Sequence, residues 1–269
     1  MVQDVLSLKN FWRVLQLFIR RKILYSWAYQ YYRRKLNGKQ QKVYDRIYRC
    51  WFTNNRDIQL PPFLLDVDTA SEVVQAVIKD HPEIFWVNYY RYTIRHSVLN
   101  DRLHFEFYFD DYENKQLSIE ASSWKKRIVS KLPKHFSNRD KAWVLFDYLA
   151  RQVTYGKQND GYSQTIIGPM SKNNHISVCE GIAKSYKYLC DEAGIPCIIV
   201  FGDVNFGENR SGPHAWNIID TGSELRHVDV TAELESAHYK GKASQSNFLY
   251  TDKDMKNYIW NRKRTPLCY

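Results

Sequence analysis

The sequence predicts an α+β fold in which a helix with a cysteine at its N-terminal end packs on an antiparallel sheet, preceded by an N-terminal α/β extension. Three observations predict it. From Ser177 to Ala193 the apolar residues Ile182, Tyr186, Leu189 and Ala193 recur at i, i+4, i+7 and i+11, one helical face, and Gly194 and Pro196 supply the stop. After it, Cys197 to Phe201 is a continuous apolar run, while Trp216 to Ile218 and Leu225 to Val228 alternate on either side of the turn Thr221-Gly222, the pattern of paired strands. Earlier, Ile84–Ile94 and Leu103–Phe109 are dense in Phe, Trp, Tyr and Val and flank the turn Asn100-Asp101, which reads as a second hairpin.

Composition bounds the rest. A chain of 269 residues buries a sizeable core and holds one large domain, with or without an extension. With 20 Tyr, 13 Phe and 8 Trp against only 11 Gly and 8 Pro, disordered and low-complexity classes are excluded. The balance of 39 basic and 29 acidic residues, +10, favours an anionic partner without specifying one, and a solvated basic face is the plainer reading. The five cysteines, at positions 50, 179, 190, 197 and 268, form no C-x-x-C pair and no metal spacing, so no zinc, disulfide framework or cofactor is expected. Arg13 and Arg20-Arg21-Lys22 interrupt the N-terminal apolar stretch. No transmembrane segment or secretion signal is therefore expected, and a cytoplasmic location is the default.

Taken in order, residues 1–38 read as a basic amphipathic helical extension, with Trp12, Leu15, Ile19, Ile23 and Trp27 on one stripe from Phe11 to Leu36. Such a helix packs on its own domain or engages an anionic partner; a membrane surface fits less well, because the apolar residues nearly ring it. Residues 39–125 form an N-terminal α+β region: a helix over Lys39–Phe52, a break at Pro61-Pro62, a capped helix from Thr69 or Ser71 to Lys79, then the hairpin. Asp110-Asp111 and Glu113 read as a solvated loop. Residues 126–235 form the core, entered through a short helix over Trp124–Lys131 and a stronger one over Asp140–Val153. Two glycine-bearing polar loops, Thr154–Ser177 and Gly202–Gly212, are expected to flank a cleft. Residues 236–269 form a tail packing on the core, as a closing helix or partly in solvent.

Chemistry concentrates around Cys179. At the mouth of a helix, free backbone N–H groups and the positive end of the dipole stabilise a thiolate and offer donors to an oxyanion. A cysteine in that position is ordinarily a small buried hydrophobe. What changes the reading is its company. His214 begins one strand and Asp229 ends the next, which supplies the nucleophile, base and orienting carboxylate of acyl transfer.

Four segments then resemble the transglutaminase-like superfamily with its papain-like core, in its bacterial type: Val178-Cys179-Glu180-Gly181-Ile182-Ala183, Gly194-Ile195-Pro196 leading to Val200-Phe201-Gly202, His214-Ala215-Trp216-Asn217, and Val228-Asp229-Val230-Thr231. They run in the family's order over residues 140–231, leaving residues 1 to about 120 outside the shared core. The resemblance implies Cys179 as nucleophile, His214 as general base and acid, and Asp229 as the residue orienting the imidazole. It also implies a peptide or protein amide substrate and either hydrolysis or transfer to an amine acceptor. Thr231 is followed by Ala232-Glu233-Leu234, where many relatives carry a tryptophan and an acid; that departure bears on the substrate-side wall, not on the three residues. The competing class is a non-catalytic scaffold whose basic N-terminal region holds an anionic partner. No nucleic-acid motif is present, and none of that class of partner is expected.

Overall fold

The computed structural model describes residues 26–62, 66–157, 161–171, 175–205, 207, 210–234, 237, 241–244 and 248–269. In chain order they form α1 (Gly38–Phe52), β1 (Asp57–Leu60), α2 (Val67–Asp80), β2 (Val87–His96), β3 (Asp101–Phe107), α3 (Asp111–Val129), α4 (Asn138–Gln152), β4 (Thr154–Tyr155), α5 (Ile167–Met170), β5 (Ile176–Ser177), α6 (Cys179–Ala193), β6 (Cys197–Asn205), β7 (Ser211–Asp220), β8 (Leu225–Val228), β9 (Phe248–Tyr250) and β10 (Tyr258–Trp260). The fold is α+β. Strands run β1-β3-β2 in one antiparallel sheet and β10-β6-β7-β8-β9 in a second, and β4 and β5 form a short parallel pair. One apolar cluster runs from α1 and α2 through the smaller sheet to α4, α6 and the larger sheet.

Local chemistry sets the helix starts. Asn37 opens α1 by accepting from the Lys39 and Gln40 amides, with the Gln40 side chain reaching back in a capping box. Asp66 caps α2, a few residues before the expected Thr69 or Ser71, and accepts from Thr69 N at 2.6 Å. Trp51 of α1 meets Phe105 of β3 edge-on at 4.9 Å, tying helix to hairpin.

Three expectations need correction. The basic helix expected over 11–36 lies outside the described residues as far as Tyr25; beyond it the chain is turns and a short 3₁₀ segment, not α-helix. The Tyr32 and Arg33 amides donate to the Asp80 carboxylate, at 3.1 and 3.0 Å, so they are withheld from a helical ladder. The expected loop at Asp110–Glu113 is the start of α3: Asp110 is its cap, accepting from Glu113 N at 2.8 Å, and the short helix expected over Trp124–Lys131 is the last part of it. The Gly202–Gly212 loop is mostly strand, because β6 runs on to Asn205 and β7 begins at Ser211. In the tail, strands β9 and β10 pair with β8 and β6.

Candidate active site

Helix α6 starts where the sequence says it should, with Cys179 as its first residue and Gly194 closing it in the left-handed region at φ 75°. The long segment before it packs beneath its N-terminus. The Ser163 carbonyl accepts from Val178 N at 3.0 Å and from Ser177 Oγ at 2.8 Å, and Ser163, Thr165 and Ser177 are buried. This close approach explains Gly181: a Cβ there would lie 2.4 Å from both Ser163 O and Ser177 Oγ. Glu180, next to the cysteine, is buried and accepts from Tyr89 Oη at 2.7 Å, Tyr90 Oη at 2.6 Å and the Lys184 ammonium. Its charge is thereby balanced, and α6 is pinned to β2.

The sheet brings His214 and Asp229 to the same place. Strand β7 pairs Asn217 with Val228 of β8, and β8 ends there, so Asp229 swings free of the ladder to meet the imidazole. Asp229 Oδ2 lies 2.7 Å from His214 Nε2, and Asp229 Oδ1 accepts from the Thr231 and Ala232 amides at 3.0 and 3.4 Å. With Nε2 held by the carboxylate, Nδ1 is the ring nitrogen left for Cys179, whose sulfur is near enough to be among the causes that raise the His214 pKa. Burial pulls the His214 pKa down, but the hydrogen bonds and charges of Asp229 and Cys179 outweigh it and lift it to about 10. At neutral pH this histidine is an imidazolium between two acceptors. Asn217 fixes the relation of helix to sheet, its amide donating to Ala183 O at 3.0 Å and Ile198 O at 3.2 Å.

Two residues that sequence reasoning passed over belong to this constellation. The Tyr258 hydroxyl on β10 donates to Asp229 Oδ2 at 2.7 Å, so the carboxylate is held from both sides. The alternation Tyr258, Trp260 was its faint signal of a strand. Tyr155 on β4 is set beside Ser177 by the parallel pairing of β4 with β5, which brings its hydroxyl close enough to Cys179 for the two groups to influence each other's charge. Burial comes first and the Cys179 charge second among the causes that raise its pKa. Nothing in the residue pattern singles it out.

Among the described residues, one cluster has the composition of metal ligands: atoms of His227, Asp252 and Cys268 lie within 4.8 Å of one another. Hydrogen bonding decides its chemistry. Trp216 Nε1–H donates to His227 Nδ1 at 3.0 Å, which leaves the ring proton on Nε2, donated to Asp252 Oδ1 at 2.8 Å. Ligation at Nε2 would move that proton to Nδ1, donor against donor. Burial lowers the His227 pKa and pushes the Cys268 thiol up to about 12, so the cluster stays a neutral ring and a neutral thiol beside one carboxylate. It fits a hydrogen-bonded anchor for the chain's last described residues, not a metal.

No family model and no curated protein matches the sequence. Solved structures similar to it include the following two. One is described as a "Crystal structure of a TGase", with 16% identity and a TM-score of 0.36 over 52% of this chain and 44% of that chain. The other, described as a "Putative Cysteine Protease from Cytophaga hutchinsonii", has 17% identity and a TM-score of 0.33 over 46% of this chain and 40% of that chain. The chain thus spans less than half the length of either. Among the described residues, no helix is long and apolar enough to cross a membrane.

Proposed function

We propose that the chain is a cysteine-dependent enzyme that forms an acyl-enzyme from a peptide or protein amide and passes the acyl group to water or to an amine. One observation carries the reading: an imidazolium held by a buried carboxylate at 2.7 Å and close to the sulfur of a cysteine at the start of a helix. Cys179 attacks the amide carbonyl as a thiolate, its proton already carried by the imidazolium. The oxyanion is taken by the Cys179 backbone N–H at the start of the helix. His214 then gives the proton on Nδ1 to the departing amine, the C–N bond breaks, and a thioester remains on Cys179. In the second half His214 removes a proton from the incoming water or amine, which attacks the thioester, expels the Cys179 thiolate and restores the thiolate–imidazolium pair. Asp229 keeps Nε2 protonated throughout, and Tyr258 and the Thr231 amide keep Asp229 in place.

The test is iodoacetamide labelling with peptide mapping at neutral pH, with Cys50 as the internal control, since it is also partly exposed. Cys179 is expected to react at least about tenfold faster than Cys50 and to lose that advantage in His214→Ala. Equal rates at the two cysteines in the unaltered protein would sink the reading and leave the scaffold role. On amide substrates, Cys179→Ala abolishes turnover and spares binding.

A further inference from the structure

A cavity of about 490 Å³ opens between α2, the edge of β6 and the segment from Asn261 to Thr265. Its wall includes Phe201, whose ring packs on the same small cluster of Ala183, Ile199 and Ala215 that Cys179 packs on. Phe201 thus borders the cavity and shares an apolar cluster with Cys179. On the cavity side stands Lys79. Its ammonium lies 4.7 Å from the centroid of the Tyr32 ring and 5.1 Å from that of Phe201. Among the described residues it has no hydrogen bond and no ion pair.

The acids around it are engaged elsewhere or out of reach. Asp80, its neighbour in sequence, accepts from the Tyr32 and Arg33 amides and from Tyr44 Oη. Glu72 accepts from Gln40 Nε2 at 2.8 Å and pairs with Arg264. Asp68 lines the cavity but sits eleven residues earlier on the same helix, roughly 16 Å along its axis. The cavity is thus polarised, acidic toward the start of α2 and cationic beside Phe201. Burial, joined by the charge of Arg264, pulls the Lys79 pKa down to about 8 against the opposing charges of Asp80 and Glu72. A desolvated cation whose only described partners are two aromatic faces is short of the anion that would balance it.

We propose that this cavity is the subsite for a carboxylate of the acyl-donor peptide, gripped by Lys79 at the Phe201 end. The ammonium supplies a charge-assisted hydrogen bond, the rings of Tyr32 and Phe201 exclude water from it, and Phe201 sets the bound group beside the thiol. An acidic side chain and a chain-terminal carboxylate both offer this chemistry. The assignment to the acyl donor rests on the thiol-enzyme reading above.

The experiment uses the full chain as Cys179→Ala, so that nothing turns over. Lys79 acetylation by acetic anhydride near its pKa of about 8 is followed by mass spectrometry with three probes: N-acetylglutamate α-amide, N-acetylalanine and N-acetylalanine amide. A carboxylate probe at ten times its dissociation constant should slow Lys79 about tenfold and leave exposed lysines unchanged, while the neutral amide does nothing. Whichever carboxylate protects identifies the source. Protection by the amide equal to that of the acids, or protection by neither acid, overturns the proposal. In calorimetry Lys79→Met should weaken the protecting probe at least about tenfold and Lys79→Arg should retain most of the affinity. If Lys79→Met does not fold, the footprint on the unaltered lysine decides. A reactive Cys179 with an unprotected Lys79 overturns the subsite alone; an inert Cys179 with a protected Lys79 overturns the acyl-donor assignment through the reading it rests on.

Discussion

Replacing Asp229 by Asn keeps the shape of the His214 partner and removes its charge. Burial, hydrogen bonds and charges together lift the His214 pKa from 6.5 to about 10, and at about 1.4 kcal/mol per unit the imidazolium is favoured by about 5 kcal/mol over its exposed state. The His214 side chain is only 9% exposed and that of Asp229 1%, so solvent screens the pair little. An opposite charge in contact is worth about 1–3 units, so Asp229→Asn should drop the titration to about 7–9, with Cys179 still holding part of it up. The assay is a two-bond proton–nitrogen correlation of ¹⁵N-histidine against pH, with His214 assigned by its loss in His214→Gln. The sign on stability follows from the raised value. His214 adds stability in full below its unfolded pKa of 6.5, and loses it as pH climbs to about 10. The urea midpoint of the wild type should therefore fall across that window, and Asp229→Asn should flatten the fall. A His214 that titrates near 6.5 in the wild type, or at one value in both proteins, would refute the reasoning.

Three further outcomes are expected. Gly181→Ala should destabilise by about 1–3 kcal/mol in urea unfolding despite alanine's better helix propensity, because its Cβ meets the Ser163 carbonyl at 2.4 Å; a variant as stable as wild type would remove the close-approach argument. Tyr258→Phe should cost about 1–2 kcal/mol by taking one donor from a buried carboxylate, and an unchanged midpoint would mean that the 2.7 Å bond does little. Cobalt(II) added to the protein at neutral pH should give no thiolate-to-metal absorption, because the proton pattern of Trp216, His227 and Asp252 leaves the cluster with Cys268 closed; a thiolate band that disappears in Cys268→Ser would contradict that assignment.

The parts read correctly from sequence are those where one periodicity governs. In α6 the apolar face, the glycine stop and the cysteine start all agree, and β6, β7 and β8 follow as apolar or alternating runs. In α3 the start signal was present in Asp110 and Glu113, but the buried stripe is thin, Ala121, Trp124 and Ile128 with Leu117 partly buried, and its first turns hold a polar residue, Asn114, on that face. Residues 26–36 carry helix-like spacing, and a carboxylate far along the chain, Asp80, overrides it. The Thr154–Ser177 segment looked like a cleft-side loop for its polarity, yet Ser163, Thr165 and Ser177 are buried, with Ser177 Oγ and the Val178 amide donating to Ser163 O at the base of α6. The thiol, imidazole and carboxylate were legible because their residue types announce chemistry. Tyr155, Tyr258 and Lys79 were not: aromatic residues and a lysine at a helix end have commonplace explanations, and only packing sets these three apart.

The order β10-β6-β7-β8-β9 makes β7 the central strand of its sheet, and β6 and β8 interior ones. Unpaired rims of a sheet fray first, and their amides exchange with solvent deuterium soonest. Here the rims are three-residue strands from the chain's last segments; at His214 the ladder runs through Gly202 of β6 to Trp260 of β10, while on the other side β8 has already ended and Asp229 takes its place. On gentle warming, deuterium enters β9 and β10 before β7. The Tyr258 hydroxyl departs with its strand while the imidazole keeps its place, so the first thing heat takes from the site is the brace behind Asp229.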